Sequence, residues 1–504
     1  MKIKTLKPIG LLATAALLHT SCQKNFQPDL QKLNNQSLNA KATAALASTV
    51  NTVVTLDWTK TYQRIDGFGA FGGRITPFFE SAKRDSIMDY LFGINNLQLN
   101  IVRGKVLHTY PFDKTTGIVT IKPAGVSTDV DVASSQYTQL TDDQKEQLGQ
   151  VWILKKIKER YQVPVMIASA WTPPLYMKTS PRIDAQWWNG LNYTCCSTDY
   201  AKYLAGFAKA YNAEGINFFA ISPANEPENI FSTWDASYWT SAHLGEFITN
   251  NLRPALNNAG LSSTKIIASE NAAWGTANSF LSGMDKSNVD ILAGHGYVEI
   301  TDIIAGNKGL NQNPTPWTFS TGNKPVWVTE ASDDSGQYDN TMTGGLKLAT
   351  NMYKLLAECN ANAYVYWLGM LAIRNNEALI CTNADGSLEF PKTYDVMGQF
   401  SRYVKPGYQR FDAAVQNNNS LKVAAFKDPL SGAFSVVAIN SGADTVKCSL
   451  QLTGFATTGV NAWQTTSSTA SHWSAGTPGT VTQNNTVEVV IPPVSVVTYT
   501  GNKQ

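Results

Sequence analysis

Between Ile65 and Trp367 short apolar runs of β-type residues alternate with longer stretches that mix polar and apolar positions. The runs are Ile65–Gly72, Leu97–Arg103, Val163–Ser169, Gly215–Ala220, Lys265–Glu270, Asp290–Tyr297, Lys324–Glu330 and Ala361–Trp367. A run that stays apolar, instead of alternating, belongs to a strand buried on both faces, as in a parallel sheet. The intervening stretches predict helices over 80–92, 142–161, 199–214, 236–260 and 342–358. Strand and helix in alternation, eight strands over roughly 300 residues, predict an α/β fold, a (β/α)8 TIM barrel, over 64–406. A doubly wound open sheet competes, but no Gly-rich phosphate loop opens the first helix. The polar insertion Gly104–Thr141 is long enough to shape a cleft.

After about Gly407 the pattern changes to period two. Leu421–Phe426, Phe434–Asn440, Thr445–Leu452, Thr486–Pro492 and Ser495–Thr500 alternate or are β-branched, with Asn, Gly, Ser and Thr clusters between them. An attached antiparallel β-sandwich is predicted over 407–502. The early stretch 49–63 is of the same kind and is expected to add a strand to it.

The first 22 residues read as an address. Lys2, Lys4 and Lys7 precede a short apolar segment, Ile9–Leu18, and Cys22 follows small residues. This is a lipoprotein-type signal with Cys22 as the lipidated residue; cleavage by an ordinary signal peptidase is the alternative. Residues 23–48, rich in Gln, Asn, Ala, Lys and Ser, are expected to be a flexible tether. The expected location is secreted across the inner membrane and lipid-anchored, in the periplasm or at the outer membrane or cell surface.

Composition narrows the function. A net charge of +2 without a basic run gives no sign of nucleic acid. The 13 Trp and 20 Tyr suit a glycan groove, since aromatic faces stack on sugar rings, and equally suit a packed core. Besides Cys22 there are Cys195, Cys196, Cys359, Cys381 and Cys448, without metal-ligand spacing. Most are expected to be buried or free thiols, and one disulfide stays open. No metal or cofactor is expected, so EDTA should leave activity unchanged. A monomer is expected.

The candidate chemistry sits at strand ends. Arg103, Trp171, Asn225–Glu226, His295 with Tyr297, Glu330 and Trp367 all end predicted strands, and strand ends are where such barrels keep their reactive groups. Glu226 and Glu330, on the fourth and seventh strands, can face each other across the mouth. Two facing carboxyls, one protonated and one ionised, are what cleavage of a glycosidic bond requires. Each residue also has a plainer reading: a solvated glutamate, a structural histidine, a core tryptophan. Trp234, in the loop after the fourth strand, is a weaker candidate for an aromatic wall. Glu270 reads as a supporting residue and Asp333–Asp334 as a solvated turn.

The chain resembles glycoside hydrolase family 30 over about residues 50–502. The resemblance lies in Ile65-Asp-Gly-Phe-Gly69, Trp171-Thr-Pro-Pro174, Ile221-Ser-Pro-Ala-Asn-Glu-Pro227, His295-Gly-Tyr297, Val328-Thr-Glu330 and Tyr366-Trp367. The tail Phe400–Asp412 is similar to the bacterial xylanase branch. The resemblance implies a retaining glycosidase with Glu226 as acid/base and Glu330 as nucleophile. It implies that Asn225 holds the sugar 2-hydroxyl, that Tyr297 and Arg103 support Glu330, and that Trp171 and Trp367 wall the cleavage subsite. A β-1,4-xylanase is the favoured expectation. β-1,6-Glucanase or galactanase, exo-β-glycosidase and glucosylceramidase-like activities are alternatives, as is a non-catalytic glycan-binding lipoprotein. Glucuronoxylan-specific relatives carry an Arg-rich segment after strand eight; here Leu368–Asn376 contains only Arg374, so glucuronate dependence is not expected. The 104–141 insertion is a candidate for closing one end of the cleft.

Overall fold

The computed structural model describes residues 48–71, 73–468 and 472–504. The signal, the tether and Cys22 lie outside the described residues. Eight parallel strands close into a barrel: Gly67–Phe71, Ile101–Val106, Val165–Ala170, Ala220–Ser222, Lys265–Ala273, Ile291–Tyr297, Val326–Val328 and Ala363–Val365. The eighth pairs with the first through Tyr364 and Phe68, which closes the ring.

Period two inside these strands sorts the side chains. Ile101, Ile167, Ala220, Ile267, Ile291, Trp327 and Ala363 fill the barrel floor. Their neighbours Val102, Ala168, Ile221, Ala268, Leu292, Val328 and Tyr364 face the surrounding helices. The next inward position on the second, third and fourth strands is Arg103, Ser169 and Ser222. On the sixth strand the inward set continues through Ala293 to His295 and Tyr297. The polar site is thus the upper layer of the same inward rows. This corrects one expectation: Arg103 does not end its strand, which runs on to Val106.

Helix boundaries differ from expectation for local reasons. The helix expected over 80–92 is two, Ile75–Glu80 and Arg84–Phe92, joined where Arg84 folds back to donate to Phe79 O at 2.8 Å. The helix expected from Ala236 begins at Ser241, because Thr240 accepts from the backbone of His243 as N-cap. It carries a widened turn at Ile248–Leu252 just before Pro254, which lacks an N–H to donate. The helix expected over 199–214 begins earlier, at Tyr193. The insertion forms a hairpin, Phe112–Asp113 with Ile118–Val119. Gly206 on helix Tyr193–Ala213 lets the hairpin approach: a Cβ there would meet Gly117 O at 2.4 Å. The hairpin therefore packs on the barrel flank, not across its mouth.

The C-terminal strands form one ten-stranded sheet with Thr49–Arg64 near its middle. That strand pairs antiparallel with Gln409–Gln416 and parallel with Thr445–Thr453, so the sheet is not wholly antiparallel. Val436 and Tyr499 from one half share a core with Leu450 and Val487 from the other, so the sheet folds over on itself as a sandwich does. Helix Lys392–Ser401 is buried along its whole length between sheet and barrel. It accepts from Thr498 at Gln399 O (2.8 Å) and donates from Ser401 to Leu97 O (2.6 Å). Cys195 and Cys196 form a vicinal disulfide, and Cys359, Cys381 and Cys448 are buried thiols. Among the described residues no helix is long and apolar enough to cross a membrane.

Candidate active site

Arg103 is the centre of the site and is 1% exposed. A guanidinium offers five donors in a rigid plane and keeps its charge. Nη1 donates to Glu330 Oε2 at 2.6 Å, and Nη2 to Asn225 Oδ1 at 2.6 Å and Glu270 Oε1 at 3.2 Å. Nε donates to Ser169 Oγ at 3.2 Å. One side chain thus ties together groups from the third, fourth, fifth and seventh strands. Its cationic face lies 4.7 Å from the Trp171 ring and 6.0 Å from that of Trp367. The two indoles lie 5.7 Å apart at 41° and form one wall.

Glu226 follows the fourth strand in a turn of left-handed backbone, φ 48°. Such a conformation costs a non-glycine residue about 1–3 kcal/mol and persists only where its surroundings enforce it. Here the Glu226 N–H donates to Glu270 O at 2.9 Å. The neighbouring Glu228 accepts from Asn271 Nδ2 and Ala272 N, each at 2.8 Å, pinning the turn to the fifth strand. Glu226 Oε2 accepts from Asn229 Nδ2 at 3.1 Å. Glu330 Oε1 accepts from Tyr297 OH at 2.8 Å, and that hydroxyl is 3.3 Å from Ser332 Oγ.

His295 is wholly buried between the carboxylates. Its Nδ1 is 3.4 Å from Glu226 Oε1 and 3.9 Å from Glu330 Oε1, without good hydrogen-bond angles. One atom from each of the three side chains lies within 4.8 Å of the others. Among the described residues this trio has the chemistry to hold a metal ion. Both Glu330 oxygens, however, already accept hydrogen bonds, one from a permanent cation. The set suits proton and glycosyl chemistry better.

Electrostatics couples the three groups. Burial acts to lower the His295 pKa, but Glu330 and Glu226 outweigh it and hold it above its ordinary value. Burial acts to raise Glu226, yet charged His295 and Asn229 hold its carboxyl below the usual range. At Glu330 burial prevails over His295 and Arg103, and the pKa lies above the usual value. With His295 charged and no substrate present, a shared proton therefore favours Glu330.

The structure brings together Arg103, Trp171, Asn225, Glu226, His295, Tyr297, Glu330 and Trp367. Trp234 stays 41% exposed in the loop after the fourth strand. Asp333 is a correction: it is buried, with Lys347 Nζ 3.4 Å from its carboxylate, not in a solvated turn. Asn229, Ser169 and Ser332 escaped the sequence reading. For Asn229 the signal was its place three residues beyond Glu226; for Ser169, the inward row shared with Arg103. Lys105, ion-paired with Asp235 at 2.6 Å and 5.3 Å from the Trp171 ring, also lies beside the wall.

A parallel barrel with two buried carboxylates at close range and a tryptophan wall defines a glycoside hydrolase. The model of O-glycosyl hydrolase family 30 matches residues 51–291. That match supports kinship with glycoside hydrolase family 30. It is 28% identical to the glucuronoxylanase XynC of Bacillus subtilis over 348 residues, 67% of this chain and 74% of that protein. It is 27% identical to an endo-1,6-β-D-glucanase of Neurospora crassa over 250 residues, 48% of this chain and 50% of that one. The catalytic domain of a family 30 xylanase C from Talaromyces cellulolyticus superposes with a TM-score of 0.71 at 25% identity, covering 89% of this chain and 100% of that one.

Proposed function

We propose that the chain is a retaining endo-β-1,4-xylanase with Glu330 as nucleophile and Glu226 as acid/base. The observation that carries the assignment is the asymmetry between the carboxylates. Glu330 accepts from a permanent cation at 2.6 Å and a phenol at 2.8 Å, while Glu226 accepts only from the Asn229 amide. Two strong donors aimed at one carboxylate favour its ionised form. The close approach of the pair fits retention, for which roughly 5–5.5 Å is needed, against 6.5–9.5 Å for inversion through a bound water. Glu330 attacks the anomeric carbon while Glu226 gives its proton to the departing oxygen. Glu226 then takes a proton from water, which attacks the anomeric carbon and releases Glu330. Asn225, held by Arg103, presents its amide to the sugar 2-hydroxyl.

The resting preference of the proton for Glu330 must reverse for this chemistry. A neutral His295 withdraws a stabilising charge from both carboxylates. Glu330 then keeps two direct donors, Arg103 and Tyr297, whereas Glu226 keeps only the Asn229 amide, and this asymmetry favours the proton on Glu226.

The xylanase resemblance at 28% and 25% identity supports xylan as substrate. Arg374 is engaged with Glu389 at 2.7 Å and Asn383 at 2.9 Å, which supports action without a glucuronate branch. The flank position of the hairpin supports endo action. The N. crassa relative supports a second reading, a β-1,6-glucanase. A product profile on glucuronoxylan, arabinoxylan, β-1,6-glucan and β-1,6-galactan tests both, with Glu330→Ala as control. Xylo-oligosaccharides that vanish in the control are expected. Cleavage of β-1,6-glucan alone selects the second reading, and silence on every glycan overturns both.

A further inference from the structure

Two loops beside the mouth, after the third and fourth strands, expose large aromatic side chains. Trp187 is 80% and Trp188 58% exposed. Both hold left-handed backbone, with φ of 59° and 58°, which bulky residues seldom adopt. The frame beneath them enforces it. The Asn189 amide donates to Arg182 O at 3.0 Å and Asp184 O at 2.9 Å, and its oxygen accepts from Ser180 N at 3.0 Å. Buried Lys178 donates to Ile183 O at 3.1 Å, Asp184 O at 2.9 Å and Ala236 O at 2.7 Å. An ammonium has three donors; here two hold this loop and the third ties it to the loop after the fourth strand.

The same frame ties the tryptophans to the acid/base turn. Tyr238 N donates to Asn189 O at 3.1 Å, and Trp239 N donates to Pro227 O at 2.9 Å. The backbone path from Trp188 to Glu226 spans at most about 20 Å. That is within reach of a short oligosaccharide.

We infer that Trp187 and Trp188 form a stacking platform for the leaving half of the polysaccharide, beyond the scissile bond. This rests on the assignment of Glu226 as the acid, since the loops joined to the acid line the side where the leaving chain departs. Rigid ring faces next to hydrogen-bonding groups match a sugar, whose apolar face is rimmed by hydroxyls. The Arg182–Asp184 pair, at 2.7 Å, and Gln186 supply such groups. Tyr176, Ile183, Phe231 and Trp234 are exposed in the same loops, but a membrane-seated surface would ring such groups with unpaired cations, whereas Arg182 here is paired with Asp184.

The test compares Trp187→Ala/Trp188→Ala with wild type on polymeric xylan and on an aryl β-xyloside. Wild-type activity on the polymer and its loss in Glu330→Ala are established first, so that failure of the proposed reaction is separable. If β-1,6-glucan is the substrate, the comparison runs on that polymer and its aryl glycoside. The polymer KM is expected to rise about three- to tenfold, the worth of one aromatic contact, with aryl-glycoside kinetics unchanged. Trp187→Phe/Trp188→Phe should recover most of the polymer KM. An unchanged polymer KM overturns the platform. So does an equal loss on both substrates, which would mean a structural role. Loss of binding to phosphatidylcholine–phosphatidylglycerol vesicles with polymer kinetics intact would also overturn it, in favour of a membrane contact.

Discussion

Arg103 links the two halves of the site, and its shape matters as much as its charge. Four acceptors surround one planar fork, and lysine cannot serve Glu330, Asn225, Glu270 and Ser169 together. Arg103→Lys is expected to lower kcat/KM on an aryl β-glycoside at least about a hundredfold, a loss of the size seen when a preorganised donor is removed. Activity within threefold of wild type would show that charge alone suffices. His295 gives a second residue-level test. Its folded pKa is raised, so its contribution to stability is complete below about 6.5, its unfolded value, and fades as pH rises through the folded value. The Tm difference between wild type and His295→Gln should therefore shrink as pH rises above about 6.5. Parallel Tm curves from acid to alkali would mean that His295 carries no charge in the fold. At this scale the sequence was legible where a side chain belongs to a strand row. His295 and Tyr297 share such a row. Glu270 was harder to place, because its partner Arg103 lies far away in the chain and on another strand. Asn229 depends on a turn whose left-handed conformation at Glu226 no residue-type pattern announces.

Elements were legible where burial on two faces leaves an unbroken apolar run. Most barrel strands follow that rule, although Gln98 and Asn100 interrupt the second run and the fourth strand, Ala220–Ser222, shares only Ala220 with its run; the order around the ring follows from helix-sized spacers between parallel neighbours. Their ends were not legible, because the runs continue past the hydrogen-bonded segment. The seventh pairs only over Val326–Val328, although the apolar run extends further. Helix starts were set by caps: Thr141 with Gln144 forms a capping box at the helix predicted over 142–161. Close strand contact sets a further constraint. A Cβ on Gly69 in the first strand would lie 2.7 Å from Ile101 O on the second. Gly69→Ala must push two barrel strands apart, at about 1–3 kcal/mol for overpacking. A lower Tm by calorimetry is expected; an unchanged Tm would mean the strands separate at no cost.

The whole molecule is stitched through its middle. Thr49–Arg64 precedes the barrel yet sits inside the C-terminal sheet, so that sheet cannot be completed without both ends of the chain. Gly398 accepts the Trp473 ring so closely that a Cβ would lie 2.2 Å from it, which locks helix Lys392–Ser401 onto the sheet. The sandwich was predictable from period two, but the parallel pairing with Thr445–Thr453 was not. Alternation fixes which face is buried and leaves strand direction open. The platform at Trp187 and Trp188 lies outside these patterns too, since it depends on loops joined only in three dimensions.

What the molecule is built to do comes down to two carboxylates held at short range with unequal support. The most direct test is the anomeric configuration of the first product, followed by proton NMR from the start of hydrolysis. Double displacement at Glu330 predicts that the β-anomer appears first and then mutarotates. Initial appearance of the α-anomer would mean a single displacement by water and would contradict the assignment of Glu330 as nucleophile.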